Sequence, residues 1–482
     1  MTEMNLTSLL NKVKNFKAEF QNIEVKRAEK GSPEKLYDTL SSFSNQDDGG
    51  VILFGLDEAQ GFQATGVYDV QDLQKKVMEQ CQAMEPPVRA LFTVVEDEGK
   101  AVVAAEIPPV DMTDRPCYYK GKGRMKGSYV RVGDADIPMT EYEVYSFEAY
   151  RKKYQDDIRT VERATFTALD SKKLQNYLNS LKDNKPNLAD LEDRQIYELM
   201  NITRDNQWTL ASVMLFGLYP QAYFPQLCII AVSVPGTEIG DTDFDGARFI
   251  DNKRIEGTAV QMLESAIQFV KNNMRTKTII DDANGKRIDR DDYPIKAVRE
   301  ILLNALVHRD YSIHTEGMPI QLVMYADRLE VTNPGGLYGR LTLSNLGKIQ
   351  PDTRNPVLAT ALEVLKVTEN RYSGIPTIRK EMSENAQPEP VFINERGEFK
   401  VVLYRSAEMT GYLDDGKKSL LQFCAIPRTR QEIVDFLGLS SVTYAMKTYV
   451  QPLIASGDIV LSNPKAPQSR NQLYSSKKDV SI

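Results

Sequence analysis

The pattern of apolar and polar positions divides the first part of the chain into alternating helices and strands. Residues 35–57 have the pattern of an amphipathic helix, a polar turn that ends in two glycines, and a buried strand. Two further strand patterns, "VRALFTVVED" and "KAVVAAEI", flank an acidic glycine turn within residues 88–107. A charge-rich helical segment follows at about 139–160. This order predicts an α/β domain over residues 1–155.

The rest of the chain continues the alternation in three further segments. Residues 156–255 are predicted to form a helical connector and a small α/β unit that contains the strand "LCIIAVSV". Residues 256–410 combine two long helical patterns with strands, which is typical of an α/β layer arrangement. Residues 415–482 follow the order helix, turn, helix, short strand, as in a winged helix-turn-helix. The predicted fold class is therefore α/β, in the sense of an α+β multidomain protein.

Composition excludes several classes of protein. Hydrophobic residues make up 41% and charged residues 26% of the chain, and no run approaches the roughly 18 apolar residues that span a membrane. The N-terminus lacks the apolar core and cleavage site of a signal peptide, so we expect a cytoplasmic protein. The 4 cysteines fit no metal spacing and there are only 2 histidines, so no structural zinc is expected. The net charge of -7 means that phosphate binding must come from local basic patches.

The segment "REILLNALVHRDYS" places polar residues at four-residue steps within an apolar helical pattern. Glu300, Asn304 and His308 therefore share one face of the helix. Either partners in the fold satisfy this buried polar face, or the face lines a site.

Two glycine turns accompany this helix, "NPGG" at residues 333–336 and "RYSGIP" at residues 371–376. Glycines at such turns let backbone amides approach a phosphate, and a following helix presents its positive end to it. Together these motifs resemble the divergent branch of the GHKL ATPases (the gyrase, Hsp90, histidine kinase and MutL fold) over roughly residues 290–405.

The resemblance implies a nucleotide site of the GHKL type, with ATP and Mg²⁺ as cofactors and an α/β sandwich as the fold. In that family a glutamate polarises water and an asparagine four residues later binds magnesium, which are the positions of Glu300 and Asn304. Asn333 replaces the aspartate that recognises adenine in the family. The remaining implied nucleotide-binding residues are His308, Gly335, Gly336 and Gly374. The alternative is a degenerate ATPase fold in which the polar face only bridges secondary structure.

The N-terminal segments "AEFQNIEVKRAEKG" and "DDGGVILFGLDE", with the later "GSYVRVGD", resemble the AlbA-like Schlafen domain over roughly residues 15–145. The resemblance implies nucleic-acid binding. The eukaryotic Schlafen branch also cleaves RNA with an acidic cluster, and Glu19, Glu24 and Asp57 stand at comparable positions. Three converging carboxylates could hold a divalent metal that activates water. The alternative is that Glu24 forms a structural ion pair with Lys26.

A basic stretch at residues 115–131, "RPCYYKGKGRMKGSYVR", contains six Lys or Arg and no acid. Such a stretch can neutralise phosphates while its tyrosines stack on bases, although a solvated, mobile hairpin is the alternative. The residues predicted to contact nucleic acid are Lys120, Lys122, Arg124, Lys126 and Arg131 in this stretch, Lys26 near the N-terminus, and Tyr444 and Lys447 in the winged helix.

The order of these domains resembles bacterial and archaeal proteins labelled transcriptional regulators, some of them RecG-like. No Walker A pattern occurs, so a helicase motor is not predicted. The leading hypothesis is an ATP-responsive regulator that binds DNA, or alternatively RNA. Its nucleotide state would rearrange the DNA-binding ends. The protein is also expected to be able to form a homodimer and to have no membrane partner. The alternatives are a metal-dependent Schlafen-type nuclease and a non-enzymatic interaction protein. Weak ATPase activity of the GHKL type is compatible with the first.

Overall fold

A computed structural model gives the fold. It describes residues 2–242, 246–280, 287–368, 373–395, 397–405, 420–421, 423–436, 446, 450–455, 457–464 and 472–476. Within this part of the chain no helix combines the length and apolar character needed to cross a bilayer. Helices and mixed sheets alternate along it, which confirms the predicted α+β multidomain class.

The N-terminal domain is built on a four-stranded sheet in the order β1-β2-β7-β6, in which β1 and β2 are parallel and the other pairs antiparallel. Successive residues of β2 and β7 belong to two different apolar cores, so helices cover both faces of the sheet. Helix α1 packs on one face, and helices α2 and α3 on the other. The main elements are α1 Glu3–Phe16, β1 Ile23–Lys26, α2 Tyr37–Asn45, β2 Gly50–Phe54, α3 Val70–Gln82, β6 Leu91–Asp97 and β7 Lys100–Ile107.

Short elements complete this domain and lead to the next one. The predicted basic hairpin contains a short helix, α4, between two strands. Helix α5 then begins at a capping box formed by Thr140 and Glu143. These elements are β3 Leu56–Asp57, β4 Gln63–Ala64, β5 Met84–Glu85, β8 Tyr118–Tyr119, α4 Gly123–Gly127, β9 Tyr129–Val132, β10 Ala135–Pro138 and α5 Glu141–Lys152.

The central domain is built on a six-stranded sheet in the order β14-β13-β17-β18-β20-β19, with one apolar core that runs from Val161 to Leu403. Helices α9, α10 and α12 pack in this core. The strands are β13 Ile229–Ser233, β14 Asp251–Ile255, β17 Ile320–Met324, β18 Arg328–Pro334, β19 Val391–Glu395 and β20 Glu398–Tyr404. The helices are α6 Ser171–Asn184, α7 Asp193–Leu199, α8 Leu210–Phe216, α9 Ala259–Asn273, α10 Ile295–His308, α11 Pro356–Val364 and α12 Gly374–Glu384. Two hairpins accompany them, β11 Thr203–Arg204 with β12 Gln207–Trp208, and β15 Thr276–Ile280 with β16 Arg287–Asp291.

The structure differs from the predicted boundary between residues 255 and 256. Strand β13 pairs in parallel with β17 and antiparallel with β14, so the segment predicted as a separate α/β unit supplies two strands of the central sheet. The physical reason is that β13 is buried on the sheet interior and needs a neighbour on each side to pair its backbone.

The C-terminal segment has a small core that includes Leu420, Cys424, Ile433, Leu453 and Tyr474. Its described elements are α13 Arg430–Phe436, α14 Gln451–Ala455 and the antiparallel pair β21 Ile459–Leu461 and β22 Tyr474–Ser476. Tyr444 and Lys447 lie outside the described residues, so the winged helix and its DNA-reading residues stay a prediction.

Candidate nucleotide site and nucleic-acid surface

The polar face of helix α10 lines a cavity of about 550 Å³. Glu300, Asn304 and His308 all border it, as the four-residue spacing predicts, and Lys296 extends the same column by one turn. The opposite face of the helix, which includes Val298 and Leu302, is fully buried in the central core. The column therefore faces open volume rather than the core.

The first turn of helix α12 lies beside this column. A Cβ atom built on Gly374 would be 3.0 Å from Nδ2 of Asn304 and 3.2 Å from Oε2 of Glu300, so a larger residue would press on both side chains. Ser373 makes no side-chain capping bond to the amides of the first turn. Such amides, together with the helix dipole, favour an anion at this position.

The end of strand β18 borders the cavity on another side through Asn333, Gly335 and Gly336. Asn333 is 5% exposed, and its Oδ1 atom has no hydrogen-bond partner within the described residues. A buried acceptor without a partner costs about 1–3 kcal/mol. A ligand with an N–H group would remove that cost.

His308 lies one helical turn beyond Asn304. Burial, and secondarily the positive charge of Arg354, lowers the pKa of its imidazole to about 4. The ring is therefore neutral near pH 7, when one nitrogen donates and the other accepts a hydrogen bond.

A buried ion pair supports the loop that follows β18. Nη1 of Arg354 lies 2.9 Å from Oδ2 of Asp310, and Nη2 donates to the carbonyl oxygen of Gly336 at 3.3 Å. Gly335 has φ +100°, and a Cβ there would lie 2.6 Å from Nη1 of Arg354. The glycine is thus needed both for its backbone conformation and for the close approach of the guanidinium.

Helix α5 of the N-terminal domain contacts both the ion pair and the loop after β18 through two tyrosine hydroxyls. The hydroxyl of Tyr142 donates to Oδ2 of Asp310 at 2.6 Å, and that of Tyr150 donates to Oδ2 of Asp352 at 3.2 Å. Asp352 itself borders the cavity. Sequence reasoning missed this support, because nothing in a local pattern relates a helix near residue 145 to loops about two hundred residues later.

The carboxylates predicted as a nuclease cluster do not converge. Arg131 lies among acids instead, with its guanidinium 2.7 Å from Glu24, 3.6 Å from Glu19 and 3.0 Å from Asp136. Asp57 is engaged elsewhere, since it accepts a hydrogen bond from the amide of Ala59 at 3.0 Å. No group of three His, Cys, Asp or Glu side chains among the described residues could hold a metal ion.

The arrangement instead matches the structural alternative, because Glu24 also pairs with Lys26. Burial is the main reason that the pKa of Glu19 is raised to about 7. The side chain of Arg131 is only 1% exposed and pairs with acids, so its predicted contact with nucleic acid stays a prediction.

The two ends of the basic stretch, Arg115 and Arg131, are buried, whereas its lysines are exposed but largely paired. Lys120 lies 3.4 Å from Glu85, Lys122 lies 3.1 Å from Asp38, and Arg124 pairs with Glu148 of helix α5. Lys126 is exposed and forms no ion pair within the described part of the chain. Pairs between exposed side chains are weak and can be exchanged for phosphate contacts.

Family models match three consecutive parts of the chain. The Schlafen, AlbA_2 model matches residues 19–140, and a domain of unknown function (DUF8451) matches residues 146–230. The model HATPase_c_4, described as "Putative ATP-dependent DNA helicase recG C-terminal", matches residues 317–403. This last match begins after helix α10.

Two solved structures resemble the chain, one over most of its length and one over a smaller part. The DIP2311 protein from Corynebacterium diphtheriae is 16% identical, with a TM-score of 0.39, over 95% of this chain and 92% of that chain. The N-terminal domain of a RecG-related protein from Nitrosomonas europaea is 29% identical, with a TM-score of 0.23, over 27% of this chain and 90% of that chain. No curated protein matches. The chain thus carries a Schlafen AlbA_2 domain and, after it, a RecG-like C-terminal HATPase_c_4 domain.

Proposed function

We propose that this protein is an ATP-binding and DNA-binding transcriptional regulator. One observation carries the nucleotide part of the proposal. The column of Glu300, Asn304 and His308, the amides that begin α12 and the unpartnered Oδ1 of Asn333 all border one cavity. The family matches support an ATPase-type domain and a domain related to nucleic acids in the same chain.

The donor set fits a magnesium nucleotide. The amide oxygen of Asn304 is a hard ligand of the kind that Mg²⁺ takes, and the N-terminus of α12 suits a phosphate. When bound, Mg²⁺ would supply charge neutralisation for the phosphates. Glu300 is placed to orient and deprotonate a water molecule, and Asn333 and His308 can hydrogen-bond a base.

The DNA part of the proposal rests on the AlbA_2 domain and on the exposed lysines of its basic stretch. Arg124 of this stretch pairs with Glu148 on helix α5, and Tyr142 of the same helix bonds Asp310 beside the cavity loop. A continuous set of contacts therefore joins the basic stretch to the cavity. These contacts support an effect of nucleotide state on DNA affinity. A shift of the loop after β18 would displace α5, and α5 in turn contacts the basic stretch.

Calorimetry with ATP, with and without magnesium, tests the nucleotide site. We expect magnesium-dependent binding in the wild type and its loss in Asn304→Ala, because the substitution deletes a metal ligand. Asn272→Ala is the matched control, since this exposed asparagine of α9 bonds Gln268 and does not border the cavity. Glu300→Gln should preserve binding and stop any turnover, because the amide keeps the shape but is not a base.

The regulatory part requires a second measurement. DNA affinity at fixed salt should change when saturating magnesium ATP is added, and that change should disappear in Asn304→Ala. If the wild type has no ATP affinity at millimolar concentration, the nucleotide site is inert. The protein would then be a nucleic-acid-binding or protein-interaction protein whose ATPase-like fold does not bind nucleotide.

A further inference from the structure

The cavity has a cationic end that the motif residues do not account for. Lys296, Arg299 and Lys366 border it near the N-terminus of α10, whereas His308 and Asn333 border it near the other end of the helix. Lys296 and His308 are separated by about 18 Å along the helix axis, at about 1.5 Å per residue. The two ends of the cavity therefore differ in charge. One end carries a neutral amide and an imidazole, and the other carries three cationic side chains.

The three cations differ in how their charges are compensated. Nζ of Lys296 pairs with Glu381 of α12 at 3.1 Å. Nη2 of Arg299 donates to the carbonyl oxygen of Val367 at 2.7 Å, which ties α10 to the turn after α11. Within the described residues, neither Arg299 nor Lys366 forms an ion pair with an acid. Two positive charges therefore remain for a ligand at this end.

Lys366 lies in the turn that follows helix α11 and is exposed. Its φ of +57° is in the left-handed region in which helices commonly end, and Lys17 and Lys153 adopt the same conformation after α1 and α5. From this turn Lys366 borders the cavity.

We propose that Arg299 and Lys366 bind the phosphates of the nucleotide, and that the cavity thereby discriminates nucleotides by the number of their phosphates. This inference rests on the proposed nucleotide site. A magnesium triphosphate retains negative charge, and attraction between charges falls with distance, so cations at the phosphate end favour the longer phosphate chain. The residues named by the GHKL resemblance would then hold the metal and the base, and these two would set the preference for ATP.

Lys366 is the better residue to change, because Arg299 also holds the turn through Val367. The experiment measures the affinities of ATP, ADP and adenosine for the wild type, Lys366→Gln and Lys366→Arg. Lys380→Gln is the matched control, since Lys380 lies on α12, pairs with Glu384 and does not border the cavity. All four proteins are used as full-length chains.

We expect Lys366→Gln to lower the affinity for ATP by about five- to tenfold, as for a partly screened charge-assisted contact. The affinity for ADP should fall by less, and the affinity for adenosine should not change. Lys366→Arg should restore ATP affinity, and Lys380→Gln should match the wild type. Equal weakening of ATP and adenosine, or no weakening of ATP, would overturn the assignment while leaving the nucleotide site intact. A wild type that binds none of the three ligands would overturn both proposals.

Discussion

Two groups of buried polar side chains, one in each of the large domains, lead to opposite outcomes. The column on α10 borders a cavity of about 550 Å³, with Oδ1 of Asn333 unpartnered beside it. The acids around Arg131 face one another across a guanidinium that is 1% exposed. The spacing of residues predicted a polar face on α10, whereas a family resemblance implied a nuclease role for Glu19 and Glu24 of the second group. The difference shows that polar residues make a site only where the fold leaves volume in front of them.

The two groups can also be contrasted by what a single substitution does. In the N-terminal group every member compensates another, so removing one leaves charge behind. In the α10 group Asn304 and His308 border the cavity, so removing either side chain should affect ligand binding more than stability at neutral pH. The following experiments test this contrast.

The largest effect is expected for Arg131→Met. The substitution leaves the buried Glu24 with Lys26 alone and removes the cation beside the half-buried Asp136, and breaking a buried pair typically costs about 3–5 kcal/mol. Amide hydrogen exchange of strands β2 and β7 would measure the loss of stability in the N-terminal domain. Lys75→Ala, at an exposed position of α3, is the control. If Arg131→Met kept wild-type stability and lost only nucleic-acid affinity, Arg131 would be a phosphate ligand after all.

The next effect is a pH dependence from His308. Its pKa of about 4 lies below the usual value of about 6.5, so the unfolded chain binds this proton more tightly than the folded one. Stability should therefore be complete above pH 6.5 and fall as the pH drops toward 4, by on the order of 3 kcal/mol. The fluorescence of Trp208, the single tryptophan, which lies in the central core, can follow unfolding. His308→Gln should flatten this profile, and an unchanged profile would contradict the neutral, buried histidine.

Glu19 should give a pH dependence of the opposite sign. Its pKa of about 7 lies above the usual value, so the folded chain binds the proton more tightly than the unfolded one. Stability is then highest below about pH 4.5 and declines as the pH rises toward 7. The effect should be similar in size to that of His308, because the pKa of Glu19 rises from about 4.5 to about 7 and that of His308 falls from about 6.5 to about 4. Hydrogen exchange in Glu19→Gln should show no such decline, and a decline that persists would assign it to another group.

The smallest effect concerns the basic stretch. Neutralising Lys120, Lys122, Arg124 and Lys126 together should weaken binding to every DNA sequence and flatten its salt dependence, since each phosphate contact contributes a slope of about -0.9 in log-log terms. Among the four single substitutions, Lys126→Ala should cause the largest loss of DNA affinity. The other three side chains must first break ion pairs with acids before they can contact a phosphate. A salt slope equal to that of the wild type would exclude this stretch from the DNA surface.

Local patterns predicted the elements well and long-range contacts poorly. Strands β6 and β7 and the face of α10 follow from periods of 2 and 3.6 residues, which depend on neighbouring positions alone. The pairing of β13 with β17 and the enclosure of Arg131 depend on partners far away in the sequence. The cations Arg299 and Lys366 were not predicted, because they share no helix face with the motif and meet it only across the folded cavity.

Helix α5 has a practical consequence for dividing this chain into fragments. The AlbA_2 match ends at residue 140 and the next match begins at residue 146, so a domain boundary drawn from these matches would fall at or within this helix. A fragment that begins after this helix would lose the hydroxyl groups that bond Asp310 and Asp352 beside the cavity. Nucleotide affinities measured on such a truncated protein would describe a rim that the intact chain does not have, so the central domain should be expressed from a start before Thr140.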